Sequence, residues 1–422
     1  MKLLIVSGCV FAPNTHRLSF SGLDYVVSDI ASVVSRVCDV DIYTFTPYSQ
    51  DASLNGIPIK SCSYLRIIRF LKYRDIRTYF RILISSLPSP KRFVKNMLAF
   101  LHSKNIEEVI KEGKYDLVHV HGATAHCFFV SLACSNTHTQ LLYTLHGLLS
   151  FGNSIVDVSD KKSEIAIFQL LKYSGSIMTT VSSGTKKLPC AKYLINPDRV
   201  RVINNAVSFP AQSDKKDLNE IYPKTIGKKI IVCVGSISDN KNQMQLIRAF
   251  KLLPKYIIEQ SIIVFAGPDT TDGVFSRYIQ QYGLSENVIE CGYVSKAVIS
   301  SIYMGACINV LLSKHEGFGL SIIEAAHYGV PTLTFEDLEA IEDVYDDEYL
   351  YCMKDRSDKT VADGIIYMYN KLWDKNKIIL AAKKFDIPIY KSYIDVYNEL
   401  QDLKSNYIDN ELANKILNKW YE

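Results

Sequence analysis

The feature that most narrows the possible folds is an alternation that runs along the chain, breaks once and starts again. Short continuous apolar runs at residues 3–6, 40–45, 117–121, 141–146 and 177–181 are separated by stretches of helical periodicity. After the break the pattern resumes with runs at 230–234, 262–267, 288–292, 308–312 and 332–335. A strand apolar on both sides is buried on both sides, and the amphipathic helices between such strands supply the covers. The expectation is therefore α/β: two doubly wound parallel-sheet, Rossmann-like domains whose strand carboxyl ends, and the loops following them, face a central cleft. The break at 207–229 (VSFPAQSDKKDLNEIYPKTIGKK) has two prolines and no usable period, so it marks the domain boundary. The expected partition is 1–208, 209–388 and a helix within 389–422 that crosses back to the first domain.

Composition removes other classes. At 422 residues, 48% hydrophobic and 22% charged, the chain can bury two sizeable cores. No apolar run approaches the roughly 18 residues of a membrane span. Lys2 leads straight into a strand, with no segment resembling a signal peptide, which predicts a cytoplasmic protein. The ten cysteines are scattered singly without Cys-x-x-Cys, as expected of buried free thiols, and no metal site is anticipated.

The net charge of +4 hides an asymmetry: residues 60–104 carry eleven Lys or Arg against one acid, so the remainder is net acidic. A helix over 66–81 would place Arg66, Arg69, Arg74, Arg77 and Arg81 on one side and Leu65, Ile68, Leu71, Tyr79, Ile82 and Leu83 on the other. That arrangement predicts a peripheral dock on an anionic membrane surface, and the acidic remainder argues against nucleic acid.

Unusual residues gather in the loops after the strands. Ser21-Gly22 opens a helix behind the first strand, where free amides can meet a phosphate, although a plain loop-to-helix turn reads equally well. His146 ends a strand, with a structural role open to it; His119 and His121 share one strand face and read as packing and loop support. Lys241, in the loop before a helix, suits a phosphate clamp or a solvated surface. The densest stretch is HEGFGLSIIEAAHYGVP at 315–331, in which Glu316 and Glu324 bracket Gly317-Phe318-Gly319-Leu320. Bare amides and carboxylates together suit a polyhydroxylated ligand. Ser321 and Glu324 also fit a capping box, which leaves Glu316 and the glycines unaccounted for.

The motif E-G-F-G-L-x-x-x-E-A-x-x-x-G-x-P resembles the signature of the retaining glycosyltransferase family four, of GT-B fold. The likeness extends to Ser21-Gly22, the strand DLVHVHG at 116–122, Thr144-Leu145-His146-Gly147, VINNAV at 202–207, the loop from Val234-Gly235 to Lys241-Asn242, and VIECGYV at 288–294. Residues 48–113 have no motif counterpart. The resemblance implies an acceptor-binding first domain and a second domain holding a nucleotide sugar, UDP- or GDP-linked, with no metal cofactor required. By position, Lys241 would meet the diphosphate, Glu324 the ribose, the Tyr293 and Val294 backbone the base, and Glu316 with the Phe318–Leu320 backbone the sugar. Gly22 would approach the diphosphate, and His146 would contact the sugar at the reacting carbon. Two departures stand out: Ser236 occupies the position of an expected phosphate-binding Arg, and Ser21 replaces the first glycine of a Gly-Gly pair. The implied function is sugar transfer to a glycan or lipid-linked acceptor in cell-surface polysaccharide synthesis. Epimerase, phosphorylase and non-catalytic partner roles are the alternatives on the same architecture.

Overall fold

The computed structural model describes residues 1–12, 21–49, 51–151, 156–208, 217–403 and 407–422. The chain divides into two compact units, one made of residues 1–205 with 387–422 and the other of residues 206–386. Residues 209–216 of the expected boundary lie outside the described residues.

The first unit is built on an eight-stranded sheet of β1 (Lys2–Ser7), β2 (Asp39–Thr44), β3 (Ser53–Leu54), β4 (Ile57–Ser61), β5 (Leu117–His121), β6 (Gln140–Leu145), β7 (Met178–Thr180) and β8 (Val200–Val202), in the order β3-β4-β2-β1-β5-β6-β7-β8. All neighbours are parallel except the β3–β4 hairpin. The last helices, Ser392–Asp402 and Asn410–Tyr421, belong to this unit. Trp420 lies edge-on to Phe129 and stacks on Phe128, and its indole N–H donates to Ser163 Oγ at 2.9 Å, so its one polar atom is satisfied on burial.

The second unit carries a six-stranded all-parallel sheet: β9 (Lys229–Val234), β10 (Ser261–Ala266), β11 (Val288–Glu290), β12 (Ala306–Val310), β13 (Thr332–Phe335) and β14 (Leu350–Met353), ordered β11-β10-β9-β12-β13-β14. Ile231 and Cys233 of β9 enter one apolar cluster while Ile230 and Val232 enter another, so alternate side chains fill cores on the two faces. This is why the strands read as continuous apolar runs.

The expected basic helix over 66–81 is corrected. Tyr64–Ile67 is one helical turn, two single 3-10 turns follow at Ile68–Phe70 and Tyr73–Asp75, and a helix proper spans Ile76–Ser86. The break falls at Leu71 and Lys72, both in extended conformation. Tyr79 satisfies the backbone there, its hydroxyl accepting from Lys72 N at 2.7 Å and donating to Lys72 O at 3.0 Å. The five arginines therefore share no helical face. Arg69 pairs with Glu108 at 2.8 Å, a balancing acid from outside the segment's own run, and Arg81 donates to Asn418 and lies over the Tyr421 ring. Among the expected apolar side only Ile82 is buried, whereas Leu65, Ile68, Leu71 and Leu83 are exposed.

Candidate active site

In the second unit the ends of β9, β10 and β11 are tied by backbone contacts. Gly235 N donates to Ala266 O and Gly267 N to Gly292 O, both at 2.9 Å. Gly267 has φ +154, and a Cβ there would sit 2.2 Å from Gly235 O, so the two turns touch only because neither carries a side chain. Gly235 begins the loop that contains Ser236 and Lys241, and Gly292 leads into the loop that contains Tyr293 and Val294. Ser236 is exposed, and its carbonyl accepts from Gln243 Nε2 at 3.0 Å. Tyr293 is exposed, while Val294 packs against the apolar cluster below.

Lys241 and Glu316 meet. Lys241 Nζ lies 2.5 Å from Glu316 Oε2, which also accepts from Ser313 Oγ at 3.1 Å. Their loops are held together by Asn240: its carbonyl O accepts from Lys314 N, its Oδ1 accepts from His315 N, and its Nδ2 donates to His315 O, at 2.8, 3.2 and 3.0 Å. Glu339, in the loop after β13, accepts from Glu316 N at 2.9 Å and contacts His315 Nδ1 at 2.8 Å. Neither Asn240 nor Glu339 was singled out from the sequence. Their signal is a pairing between loops far apart in the chain, which no local spacing carries.

Beyond Glu316, the amides of Gly317, Phe318, Gly319 and Leu320 have no partner among the described residues. Phe318 is buried with its ring edge-on to Phe385 at 5.7 Å, which fixes the loop from beneath. Gly319, at φ +82, is the N-cap of helix Leu320–His327 and offers no capping side chain. The expected capping box is thereby corrected: the helix starts at Leu320, so Ser321 does not cap it and Glu324 lies in its second turn. Glu324 Oε2 is 3.5 Å from the buried Tyr303 hydroxyl, and burial raises its carboxyl above the ordinary value against the lowering effect of Lys296. Ser208, Lys296, Ile299, Ser300, Tyr303, Glu324 and Tyr328 enclose a small cavity. Lys296 is a further residue missed in the sequence, where it reads only as the first residue of a helix.

In the first unit Gly22 is the first residue of helix Gly22–Val34. Ser21 is its N-cap, with Asp24 returning the bond in a capping box, so the serine in place of glycine closes the helix end. The loop preceding Ser21 lies outside the described residues. His146 follows β6 and is half-buried. Its Nε2 lies 3.0 Å from Nδ1 of the buried His121. His121 is thus buried and also holds the loop residue His146, in keeping with the packing and loop support expected of it. The register that pairs His121 with Thr144 brings the two rings together. His119 bonds Tyr397 and Thr144, as a packing role requires.

Asp41 of β2 is engaged by Tyr115 and pairs with Lys60 at 2.8 Å. Among the described residues no three His, Cys, Asp or Glu side chains group to hold a metal. No helix among them is long and apolar enough to cross a membrane.

Residues 22–209 match the family described as Glycosyltransferase Family 4, and residues 214–385 match Glycosyl transferases group 1. An uncharacterized glycosyltransferase of Methanocaldococcus jannaschii is 26% identical over 237 residues, 52% of this chain and 57% of that relative. The Escherichia coli protein named UDP-Gal:alpha-D-GlcNAc-diphosphoundecaprenol alpha-1,3-galactosyltransferase is 23% identical over 253 residues, 57% of this chain and 62% of its own length. The chain thus spans less than two thirds of these curated relatives. Among solved structures, Anabaena HepE in complex with UDP and glucose superposes with a TM-score of 0.69 at 16% identity, covering 94% of this chain and all of that one. At that identity the likeness establishes the GT-B fold.

Proposed function

Because the chain belongs to the glycosyltransferases, its first half matching family 4 and its second half group 1, we propose that it transfers a sugar from a UDP- or GDP-sugar to a glycan or lipid-linked acceptor in cell-surface polysaccharide synthesis, with retention at the anomeric carbon. The observation that carries the proposal is the Lys241–Glu316 pair beside the row of free amides from Gly317 to Leu320. In this reading Lys241 and the amides at the helix start receive the charge of the leaving diphosphate, a stabilisation that grows as the sugar–oxygen bond breaks. Glu316 and the Phe318–Leu320 backbone hold the sugar, Glu324 the ribose, and the Tyr293–Val294 backbone the base. His146 contacts the transferred sugar, Gly22 approaches the diphosphate, and Ser236 supplies no cation. A metal cofactor is not part of the proposal. A diphospholipid-linked acceptor is supported by the name of the E. coli relative, and a UDP-sugar by the ligands of HepE.

The test is a panel of UDP- and GDP-sugars followed by thermal unfolding and product analysis. One donor is expected to stabilise the protein, by about 2.7 kcal/mol at a hundred times its dissociation constant. Nucleoside diphosphate should be released only when acceptor is added. Interconversion of the nucleotide sugar alone would mark an epimerase, and binding without turnover a partner subunit. His146→Ala is expected to lower turnover about 10²-fold while UDP or GDP titration stays near normal. Normal turnover in that folded variant would remove His146 from the site.

The proposal includes peripheral docking on the anionic inner face of the cell membrane, in the cytoplasm. Leu65, Ile68, Tyr73, Ile76, Phe80 and Leu87 are exposed large apolar residues interleaved with exposed Arg66, Arg74 and Arg77. Apolar side chains that enter the acyl boundary and cations near anionic lipid, at about 1 kcal/mol each, act together there. The helical break replaces one amphipathic face with a series of short turns and leaves both components in place. Vesicle co-sedimentation is expected to show binding to anionic but not neutral lipid, weakened by salt and by Arg66→Glu with Arg77→Glu. Arg69 and Arg81 are avoided because they have partners within the fold. Binding indifferent to lipid charge or to this double variant would overturn the docking surface.

A further inference from the structure

Three histidine rings stand in a row at the carboxyl ends of β5 and β6. His119 and His121 have centroids 4.1 Å apart, and His121 and His146 5.3 Å apart. Both nitrogens of His119 are engaged, Nδ1 with the Tyr397 hydroxyl at 2.9 Å and Nε2 with Thr144 Oγ1 at 2.6 Å. His121 differs: its Nδ1 meets His146 Nε2 at 3.0 Å, and its buried Nε2 has no partner among the described residues. His146 Nδ1 has no partner among the described residues.

Burial lowers the pKa of His119 and His146 to about 3 and that of His121 well below 6.5, so near neutral pH each ring carries one proton. Between His121 and His146, then, one nitrogen donates and the other accepts. A proton on His121 Nε2 would leave a buried N–H with no acceptor, which folded proteins avoid more strictly than a bare acceptor. A proton on His121 Nδ1 leaves only a lone pair unmatched. His146 then accepts through Nε2, and its own proton is confined to Nδ1.

We propose that His121 is a positioning residue that fixes His146 in the Nδ1–H tautomer, so that His146 meets the transferred sugar as a neutral hydrogen-bond donor and not as a base. The kinetic half rests on the transferase reading; the tautomer does not.

The test uses the full chain labelled with ¹⁵N-histidine, with His146 signals assigned by their loss in His146→Gln. Long-range proton–nitrogen spectra of the wild type without any ligand are expected to show Nδ1–H for both His121 and His146. His121→Phe keeps a ring and removes both nitrogens. There His146 should turn into a tautomer mixture, with kcat lowered about tenfold and the donor KM little changed. His121→Asn, which returns an N–H donor near the Nδ1 position, should restore most of both. An Nε2–H His146 in the wild type, or a folded His121→Phe protein with unchanged tautomer and kcat, overturns the proposal. If His121→Phe does not fold, the wild-type spectrum and His121→Asn decide. A correct tautomer in a protein that turns over no nucleotide sugar overturns the transferase reading and leaves the tautomer assignment standing.

Discussion

Lys241→Ala is expected to lower sugar-transfer turnover at least ~10²-fold with the fold intact, the scale of removing a charge contact that strengthens in the transition state. Lys241 and Glu316 are partly exposed, with 26% and 16% of their side-chain surfaces accessible. Their mutual attraction in the free protein is therefore worth only about 1 kcal/mol, and losing it should barely move the unfolding temperature. Glu316 keeps the Ser313 hydroxyl in the variant. Glu316→Gln, which preserves shape and one acceptor, is expected to lose turnover on the same scale. The two variants should part in binding: Lys241→Ala weakens the nucleoside diphosphate alone, whereas Glu316→Gln leaves it near normal and affects only the sugar-bearing donor. Calorimetric titration with UDP or GDP and with the donor, beside steady-state kinetics, separates them. A folded Lys241→Ala protein with near-normal kcat would remove the lysine from the chemistry.

Acid should destabilise the first unit well before ordinary carboxylate titration. His102, His119 and His121 are 2%, 0% and 1% exposed, and burial holds His102 and His119 at about 3 and His121 well below 6.5. A histidine depressed in the folded state binds fewer protons than in the unfolded chain. Its contribution is thus complete above about pH 6.5 and is lost as pH falls from there toward the folded value. At pH 5.5 the loss is about 1.4 kcal/mol per histidine, on the order of 4 kcal/mol for the three. In a unit of this size that lowers the unfolding temperature by roughly 8–16 °C between pH 7.5 and 5.5. None of the three belongs to the second unit. Glu324 there and Glu164 in the first unit, both raised by burial, work in the opposite direction, their protonated forms being favoured in the folded state. Scanning calorimetry across that range should show the first unit's transition moving and the second's moving less. A first-unit transition that holds its temperature to pH 5.5 would contradict the linkage.

Both sheets were legible because their central strands are buried on two faces, and such strands leave an unbroken apolar run in the sequence. The strands that went unread lie at or next to sheet edges. Ile57–Ser61 contains Pro58 and Lys60, Val200–Val202 is three residues long with a central Arg201, and Leu350–Met353 ends the second sheet. The Asn55-Gly56 pair that turns the β3–β4 hairpin is a strong local signal, but it has no place in a search for parallel strands. The helical periodicity of the basic segment runs on across Leu71 and Lys72, where the backbone turns extended and the Tyr79 hydroxyl supports the break. The loop residues of the candidate site were visible one by one. What could not be read was their pairing: Lys241 with Glu316 across 75 positions, Asn240 with the loop it clamps, and His121 with His146 through strand register.

The split of the first unit around the second has a consequence for the order of events during synthesis. Residues 206–386 form one continuous stretch and are synthesised before residues 387–422, which are still enclosed by the ribosome as that stretch emerges. Domains fold as units once their sequence has emerged. The second unit can therefore reach its final form while the first still lacks the helix bearing Trp420 and the Tyr397 hydroxyl that meets His119. Until those residues arrive, Phe128 and Phe129 lack the Trp420 ring and His119 Nδ1 lacks the Tyr397 hydroxyl. Of the two units the first is thus the later to be finished, and in that interval its incomplete core is the surface a chaperone would meet.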